Sequence, residues 1–414
     1  MTVRSHGCGR WWPWALLTIA ALLLAGCAAN SRAVPATPSP RPSPTPASVL
    51  ALAQGVANRW GYDPSRPTGR VDPPPHFDAL PAGYRIETVV SGLRQPTAIA
   101  FTPDGTLLVA EQSGALRVVR DGRLQSRPLY KFNSYTPLTP EGFSELGLVG
   151  LAVAPDFAEN GYVYAYYSVS DPQYRTVLAR ITTQDGRGTE LKEIFSLSVA
   201  EAPCCHIAGS LRFAPDGTLF VMVGDHQQEA AAQDVSSPFG KVLRINADGT
   251  PPAGNPFVTD SRADPRVYAY GLRNPYDVAI DPKTFRAYAT ENGFTGQDAI
   301  VEIKRGANYG WPGYALALPL SRMAQPMLFY HNAIGPSGME FYRGSALPAL
   351  DGALLFCQFH QGGALHAVRF DIDGTPVDDA VIATGCTSDV LTGPDGFLYF
   401  VDYLGGVVYR IARE

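Results

Sequence analysis

One histidine is the first candidate for chemistry in this sequence. His206 lies in the segment PCCHIAGSLRFAPDGTLFVMVGD (203–225), just before an alternating apolar run, and is followed by the small residues Ala208 and Gly209. A neutral imidazole accepts a proton near pH 7, so it suits general base catalysis. A lone histidine is more often structural than catalytic, so this interpretation depends on what surrounds His206.

Three further segments carry polar groups in turns. They are YGLRNPYDVAIDP (270–282), ATENGFTGQDAIVEIKRGANYGWP (289–312) and GPSGMEFYRG (335–344). Arg273 and Asn274 precede Pro275, which places a cation and an amide on a turn before a strand, where both can face a pore. Asp225 is a second candidate for a pore-lining group, but a Gly-Asp pair that ends a strand is more often a turn. Trp311 is most simply a core residue.

These segments need a scaffold, and the chain repeats one short pattern six times. The copies are FTPDGTLLVAE (101–111), VAPDFAENGYVYAYY (153–167), FAPDGTLFVMVGD (213–225), IDPKTFRAYATE (280–291), LPALDGALLFCQF (347–359) and TGPDGFLYFVDY (392–403). Asp-Gly between β-branched and aromatic residues is a hairpin signal. The copies give about 56 residues per unit, consistent with four strands and a loop.

The repeats predict an all-β fold, a six-bladed β-propeller of four-stranded antiparallel blades, over residues 77–414. Units that cannot bury both faces alone can stack radially around a channel. The first strand, YRIETVV (84–90), would pair beside GGVVYRIAR (405–413) and close the ring. A pair of β-sandwiches is the alternative, but six similarly spaced copies do not divide naturally into two sheets.

The N-terminus has the pattern of an export signal. Two arginines precede an apolar run at 11–25, and LAGC (24–27) resembles a bacterial lipobox. This pattern predicts a lipoprotein signal peptide at 1–26, lipid on the sulfur of Cys27, and an extracytoplasmic protein anchored to a membrane surface. An uncleaved signal anchor is the alternative. Residues 27–76 are rich in Pro, Ser and Thr and predict an extended tether.

Composition and charge narrow the classes of function. The 414 residues are 45% hydrophobic and include 41 Gly and 36 Pro, which excludes a coiled coil, a collagen and a highly charged disordered chain. The formal net charge of −5 gives no basic surface. Nucleic acid is therefore not an expected partner, because phosphate binding depends on clustered Lys and Arg.

Cysteine usage agrees with export. Beyond the two cysteines of the N-terminal segment the chain contains Cys204, Cys205, Cys357 and Cys386. An even number in an oxidising compartment predicts disulfides, with three possible connectivities. We favour Cys204 with Cys205 and Cys357 with Cys386, although adjacent cysteines can join only by distorting the peptide between them. A zinc site is a weaker alternative, since no second CxxC or His pair stands at ligand spacing.

Five strings in one order resemble the glucose/sorbosone dehydrogenase family, the soluble aldose dehydrogenases that depend on pyrroloquinoline quinone (PQQ). They are HIAGSLRFAPDG, GKVLRINADGTPPAGNPF (240–257), GLRNP, GANYGWP and GPSGMEFY, spread across most of residues 90–400. The resemblance implies a sugar substrate, PQQ and Ca²⁺ as cofactors, and a quinone or cytochrome as the electron acceptor.

The resemblance also implies a role for individual residues. His206 would take the proton from the C1 hydroxyl of an aldose while hydride moves to the quinone. Arg273 and Asn274 would contact the polar quinone end of the cofactor, where a guanidinium can stabilise developing negative charge.

The Glu-Asn-Gly turn would complete the cofactor site. The resemblance places Asn292 at the cofactor and assigns the backbone carbonyls of Gly293 and Phe294 to a calcium ion, which prefers oxygen ligands.

The sequence also departs from the family pattern. Cys386 and Ser388 stand where relatives have a pair of Arg, and His360 stands where they have a Lys. Glu145 replaces a cofactor-contacting Gln, and Ala299 replaces an acidic ligand of a structural calcium. We keep Glu145 and His360 as expected cofactor contacts. PQQ carries three carboxylates, so the lost cations would cost several kcal/mol of binding, at about 1.5 to 3 kcal/mol per charged hydrogen bond.

Three functions are compatible with these features. The first is an exported PQQ-dependent dehydrogenase that oxidises an aldose at C1 to its lactone. The second is a calcium-dependent lactonase or esterase that uses Glu145, Asn274 and Asp225. The third is a non-catalytic binding propeller that has lost cofactor contacts. The residues favour the first.

Overall fold

Short β-strands joined by tight turns make up most of the folded chain. The computed structural model describes residues 76–77, 80–137, 144–294, 297–312, 323–330 and 332–414. The predicted signal peptide, Cys27 and nearly all of the predicted tether lie outside these residues. Within the described part, no helix is long and apolar enough to cross a membrane.

Two strands precede the repeats and are followed by the first three sheets, or blades. The two strands are β1 (His76–Phe77) and β2 (Tyr84–Val90). Blade 1 contains β3 (Pro96–Phe101), β4 (Leu107–Glu111), β5 (Ala115–Arg120), β6 (Arg123–Leu124) and β7 (Tyr130–Lys131). Blade 2 contains β8 (Leu148–Val153), β9 (Tyr162–Val169), β10 (Arg175–Gln184) and β11 (Arg187–Ser198). Blade 3 contains β12 (Ala208–Phe213), β13 (Leu219–Val223), β14 (Lys241–Ile245) and β15 (Val267–Tyr270).

The remaining three blades follow the same plan. Blade 4 contains β16 (Pro275–Ile280), β17 (Ala287–Glu291), β18 (Asp298–Ile303) and β19 (Leu328–Tyr330). Blade 5 contains β20 (Pro336–Phe341), β21 (Leu354–Gln358), β22 (Ala364–Phe370) and β23 (Pro376–Thr384). Blade 6 contains β24 (Val390–Thr392), β25 (Leu398–Asp402) and β26 (Val407–Arg413). The described helices are α1 (Phe157–Asn160) and the 3₁₀ turns Glu229–Gln233 and Pro348–Leu350.

Each repeated turn joins the first two strands of a blade, as the hairpin signal predicts. The first strand of each blade is its inner strand and contacts the inner strand of the next blade around the ring. The six inner strands are β3, β8, β12, β16, β20 and β24. Apolar side chains fill the space between neighbouring sheets; Tyr166 of blade 2, for example, packs in one cluster with Leu211 and Val221 of blade 3. Such burial is worth about 1.5 to 3 kcal/mol for each large apolar side chain. The predicted six-bladed propeller is confirmed.

The ring closes through its two ends. Strand β2 pairs antiparallel with β26, with Ile86 opposite Ile411, and so completes the four strands of blade 6. This confirms the closure predicted for YRIETVV. Strand β1 adds to blade 5 by parallel pairing with β23.

The blades place the candidate residues together because of where these residues fall in the repeat. Four of these residues each lie one to three positions before the inner strand of a blade, namely Glu145, His206, Asn274 and Ser388. Residues from these segments of different blades line the same cavity or bond to one another. One end of the ring therefore gathers groups that are far apart in sequence.

Candidate active site

His206 is held in a backbone conformation that few residues adopt. Its φ is 61°, in the left-handed region, although it is not a glycine. Its N–H donates to Glu145 Oε2 at 2.8 Å, and its carbonyl accepts from the N–H of His226 at 3.1 Å. Gly224 lies so close that a Cβ there would fall 1.9 Å from the His206 carbonyl oxygen. The loop is therefore packed tightly around the histidine backbone.

Asp225 orients the His206 side chain. Its Oδ1 lies 2.8 Å from His206 Nδ1 and also accepts from the Gln227 N–H at 2.8 Å, while Oδ2 accepts from Trp311 Nε1 at 2.8 Å. The Asp225 side chain is fully buried, whereas that of His206 is 15% exposed. Since a carboxylate accepts at Nδ1, the neutral imidazole carries its proton there and keeps a lone pair on Nε2. This is the tautomer that a general base acting through Nε2 needs.

Glu145 and Asn274 join two blades next to His206. Asn274 Nδ2 donates to Glu145 Oε2 at 3.2 Å, and Asn274 Oδ1 accepts from the Ala208 N–H at 3.1 Å. Asn274 itself is 2% exposed. Glu145 thus accepts hydrogen bonds from both the histidine backbone and the asparagine side chain, which fixes the spacing between them.

Arg273 supplies a cation beside this pair. Its Nη1 donates to the carbonyl of Asn292 at 2.9 Å, and its guanidinium carbon lies 5.7 Å from the centre of the Trp311 ring. Its Nε is buried and has no hydrogen-bond partner among the described residues. The backbone N–H of Arg273 donates to Glu291 Oε1 at 2.6 Å, and burial raises the pKa of Glu291 to about 8. With this raised pKa, the Glu291 carboxyl compensates the guanidinium charge less than an ordinary glutamate would.

Two cavities lie at this site. The wall of the first includes Glu145, Asn274, Asn292 and His360. The other is lined by Arg273, Glu291, Gly293, Phe294 and Trp311 among others. The hydrogen bond from Arg273 to the Asn292 carbonyl links the two walls. His206 is joined to the first wall through its bond to Glu145.

The predicted calcium ligands lie in the second cavity. The Gly293 N–H donates to Asp298 Oδ1 at 3.1 Å, and the Phe294 carbonyl accepts from the Gln297 N–H at 3.2 Å. Asp298 Oδ2 also accepts from the N–H groups of Ile334 and Gly335, both at 2.8 Å, and burial raises the pKa of its carboxyl group. The turn that bears the two carbonyls is thus fixed to the loop before blade 5.

Both predicted disulfides are present. Cys204 is bonded to Cys205, directly before His206, and Cys357 is bonded to Cys386. The second bond joins β21 to the loop before β24, so Cys386, where the family resemblance implied an arginine, is held in a buried disulfide.

The sequence did not reveal the roles of two members of the site. The Gly-Asp pattern favours a turn role for Asp225, and Trp311 is predicted only to pack, but both complete the hydrogen-bond network of His206. Trp311 is 86 residues from Asp225, and a contact over that distance leaves no local signal in one sequence. For Asp225, the one local signal among these residues is that it follows the end of a hairpin strand in the same segment as His206.

Comparison with known proteins shows the family of this chain. A family model described as glucose/sorbosone dehydrogenase matches residues 93–409. The chain belongs to the glucose/sorbosone dehydrogenase family. It is 33% identical over 351 residues to an uncharacterized protein of Synechocystis sp., covering 78% of this chain and 85% of the relative. It is 29% identical over 360 residues to aldose sugar dehydrogenase YliI of Escherichia coli, covering 81% and 94%.

A solved structure of this family carries the cofactor that the resemblance implied. The PQQ-bound form of aldose sugar dehydrogenase from Streptomyces coelicolor superimposes with a TM-score of 0.66 at 25% identity, covering 81% of this chain and 100% of that one. The family resemblance read from the five strings is therefore confirmed over most of the propeller.

Proposed function

We propose that this chain is an exported, PQQ-dependent dehydrogenase that oxidises an aldose at C1 to the lactone. The observation that carries the proposal is the 2.8 Å contact between His206 Nδ1 and Asp225 Oδ1 at the cavity end of the ring. It supplies an oriented base in a chain whose family relatives include aldose sugar dehydrogenases.

His206 would act on the substrate hydroxyl. Its Nε2 lone pair accepts the proton of the C1 hydroxyl as the C1–H bond breaks and the C1–O bond becomes a carbonyl. Asp225 then stabilises the imidazolium that forms, because its carboxylate faces Nδ1–H. The partly exposed His206 can return the proton to solvent.

The residues present fit the quinone cofactor on one side of the site. The buried Nε of Arg273, which has no hydrogen-bond partner among the described residues, suits an anionic group, and Asn274 and Asn292 lie close by. When bound, PQQ supplies the hydride acceptor. Arg273 would stabilise the negative charge that accompanies reduction. The carbonyls of Gly293 and Phe294 are ligands of the type that Ca²⁺ prefers.

The N-terminal sequence supports the cellular setting of the proposal. The lipobox-like LAGC, the expected lipid on Cys27 and the Pro-rich tether would hold the propeller at an extracytoplasmic membrane surface. The electrons would then pass to a quinone or a cytochrome at that surface.

The test is a titration of the purified protein with PQQ, with and without Ca²⁺, followed by absorbance and by dye-linked aldose oxidation. We expect saturable uptake, and oxidation only when both cofactors are present. His206→Gln should keep the uptake and lower turnover by about a hundredfold to ten-thousandfold. Absence of both uptake and oxidation would refute the proposal and favour a binding propeller.

The structure gives less support to the lactonase. That function needs Asp225 to face the cavity, but both of its oxygens accept hydrogen bonds within the protein. Lactone hydrolysis that a chelator abolishes and that needs no quinone would nevertheless favour it over the dehydrogenase.

A further inference from the structure

The Cys204–Cys205 disulfide lies directly before the proposed base, and its position differs from that of the other disulfide. Cys204 is exposed and Cys205 is half-buried, whereas Cys357 and Cys386 are both 0% exposed. A reductant in solvent can therefore reach the first disulfide more easily than the second.

Gln227 connects this disulfide to the catalytic pair. The Cys204 N–H donates to Gln227 Oε1 at 3.3 Å, and Gln227 Nε2 donates to Cys204 Sγ at 3.5 Å. The backbone N–H of Gln227 donates to Asp225 Oδ1 at 2.8 Å, and this oxygen also faces His206 Nδ1. The disulfide thus belongs to the network that orients the imidazole.

The backbone around His206 needs such support. His206 and Gln227 have φ values of 61° and 62°. Side-chain-bearing residues stay in the left-handed region only where the surroundings hold them there. The Cys204 carbonyl accepts from the Glu145 N–H at 3.3 Å, and Glu145 Oε2 accepts from the His206 N–H at 2.8 Å. The covalent ring therefore restricts Cys204, which bonds to both Glu145 and Gln227, the two residues that connect it to His206 and Asp225.

We propose that the Cys204–Cys205 disulfide is a positioning element for His206 and that its reduction by a dithiol lowers turnover. This inference rests on the proposed dehydrogenase function. In the reduction, one thiolate of the dithiol attacks a disulfide sulfur and forms a mixed disulfide. The second thiolate of the dithiol then attacks the dithiol's own sulfur in the mixed disulfide and releases the protein sulfur. The dithiol leaves as a cyclic disulfide, and the sulfurs of Cys204 and Cys205 take up two protons and become thiols.

The experiment treats the full-length, cofactor-loaded protein with a mild dithiol and counts the released thiols by alkylation and mass spectrometry. We expect two labels per chain, at Cys204 and Cys205. Turnover should fall at least tenfold, while KM for the sugar and the PQQ titration change less than twofold. Reoxidation should restore turnover. In NMR spectra of the cofactor-free protein, the His206 Nδ1–H signal should be protected before reduction and exchange rapidly after it.

Two matched variants separate positioning from general stability. Cys204→Ser/Cys205→Ser should resemble the reduced protein and no longer respond to the dithiol, whereas Cys357→Ser/Cys386→Ser should keep the response.

Full turnover together with an unchanged His206 signal after labelling of both thiols would overturn the inference. If the untreated protein oxidises no sugar, the proposed function fails, and the NMR signal still decides whether the disulfide positions His206. If a variant does not fold, reduction of the unsubstituted protein decides.

Discussion

Replacing Asp225 by Asn tests how the site sets the protonation of His206. The Asp225 carboxylate receives three donors, namely His206 Nδ1, the Gln227 N–H and Trp311 Nε1. The amide that replaces it offers one oxygen and one NH₂ group, so on one of its two sides a pair of donors must meet face to face. A buried donor without an acceptor costs about 1 to 3 kcal/mol.

The effect on turnover follows from which side loses its acceptor. If the amide NH₂ of the Asp225→Asn variant faces His206, the imidazole must carry its proton on Nε2 and cannot accept one from the substrate. If the NH₂ faces Trp311 instead, the loop that holds His206 is displaced. We expect kcat to fall by about a hundredfold to ten-thousandfold, with little change in PQQ uptake.

The assay is dye-linked aldose oxidation by the loaded protein, accompanied by a PQQ titration and a thermal melt. Trp311→Phe is the matched control, because it removes one hydrogen bond to Asp225 and leaves the bond to His206 in place. It should lower stability while retaining most of the turnover. An Asp225→Asn variant with kcat within about threefold of the unsubstituted protein would refute the assigned tautomer.

Two further predictions concern other histidines. Burial lowers the pKa of His226 from 6.5 to about 4, so the unfolded chain takes up a proton near pH 6.5 that the native state excludes until about pH 4. The free energy of unfolding should therefore fall by about 1.4 kcal/mol per pH unit as the pH drops from 6.5 towards 4. In a series of urea unfolding curves at different pH values, His226→Gln should flatten this slope. An unchanged slope in the variant would contradict the assignment to His226. His360 is exposed on the cavity wall. Because a lysine there would attract the carboxylates of PQQ, His360→Lys should tighten PQQ binding about two- to fivefold at low salt, as measured by absorbance titration. The gain should disappear at about 0.5 M salt, where exposed charges are screened. No gain at low salt would show that this position does not face the cofactor's carboxylates.

The fold was largely predictable because its signals are local. Each repeated turn with its flanking alternating residues specifies a hairpin by itself, with Asp-Gly in four of the six copies, and six such units at similar spacing leave few arrangements other than a ring. The closure by residues 84–90 could also be predicted, because a ring of sheets needs a partner for its last strand. Pairing of β1 with β23 was not predicted, since two residues carry too little pattern to identify a strand.

The site was predictable only in part, for the opposite reason. His206, Arg273 and Asn274 stand in recognisable strings, but the bonds that give them their properties cross long stretches of chain. Glu145 bonds to residues 61 and 129 positions away. The raised pKa of Glu291 beside Arg273 comes from burial, which depends on packing rather than on local sequence.

The wall of the first cavity also carries hydroxyl groups, and the hydrogen bonds of three of them determine whether these can hold an anionic cofactor. Ser337 Oγ donates to the Thr387 carbonyl at 2.9 Å, Ser388 Oγ donates to the Pro96 carbonyl at 2.8 Å, and the Tyr403 hydroxyl donates to Gln112 at 2.6 Å. Their protons are engaged within the protein, so a carboxylate at this wall would meet oxygen lone pairs. These hydroxyls therefore do not replace the two arginines that the family resemblance implied at positions 386 and 388. Among the described residues that line the two cavities, Arg273 is the one arginine or lysine. Loss of its guanidinium should therefore weaken binding of a tricarboxylate more than it would in a site with cations on both walls.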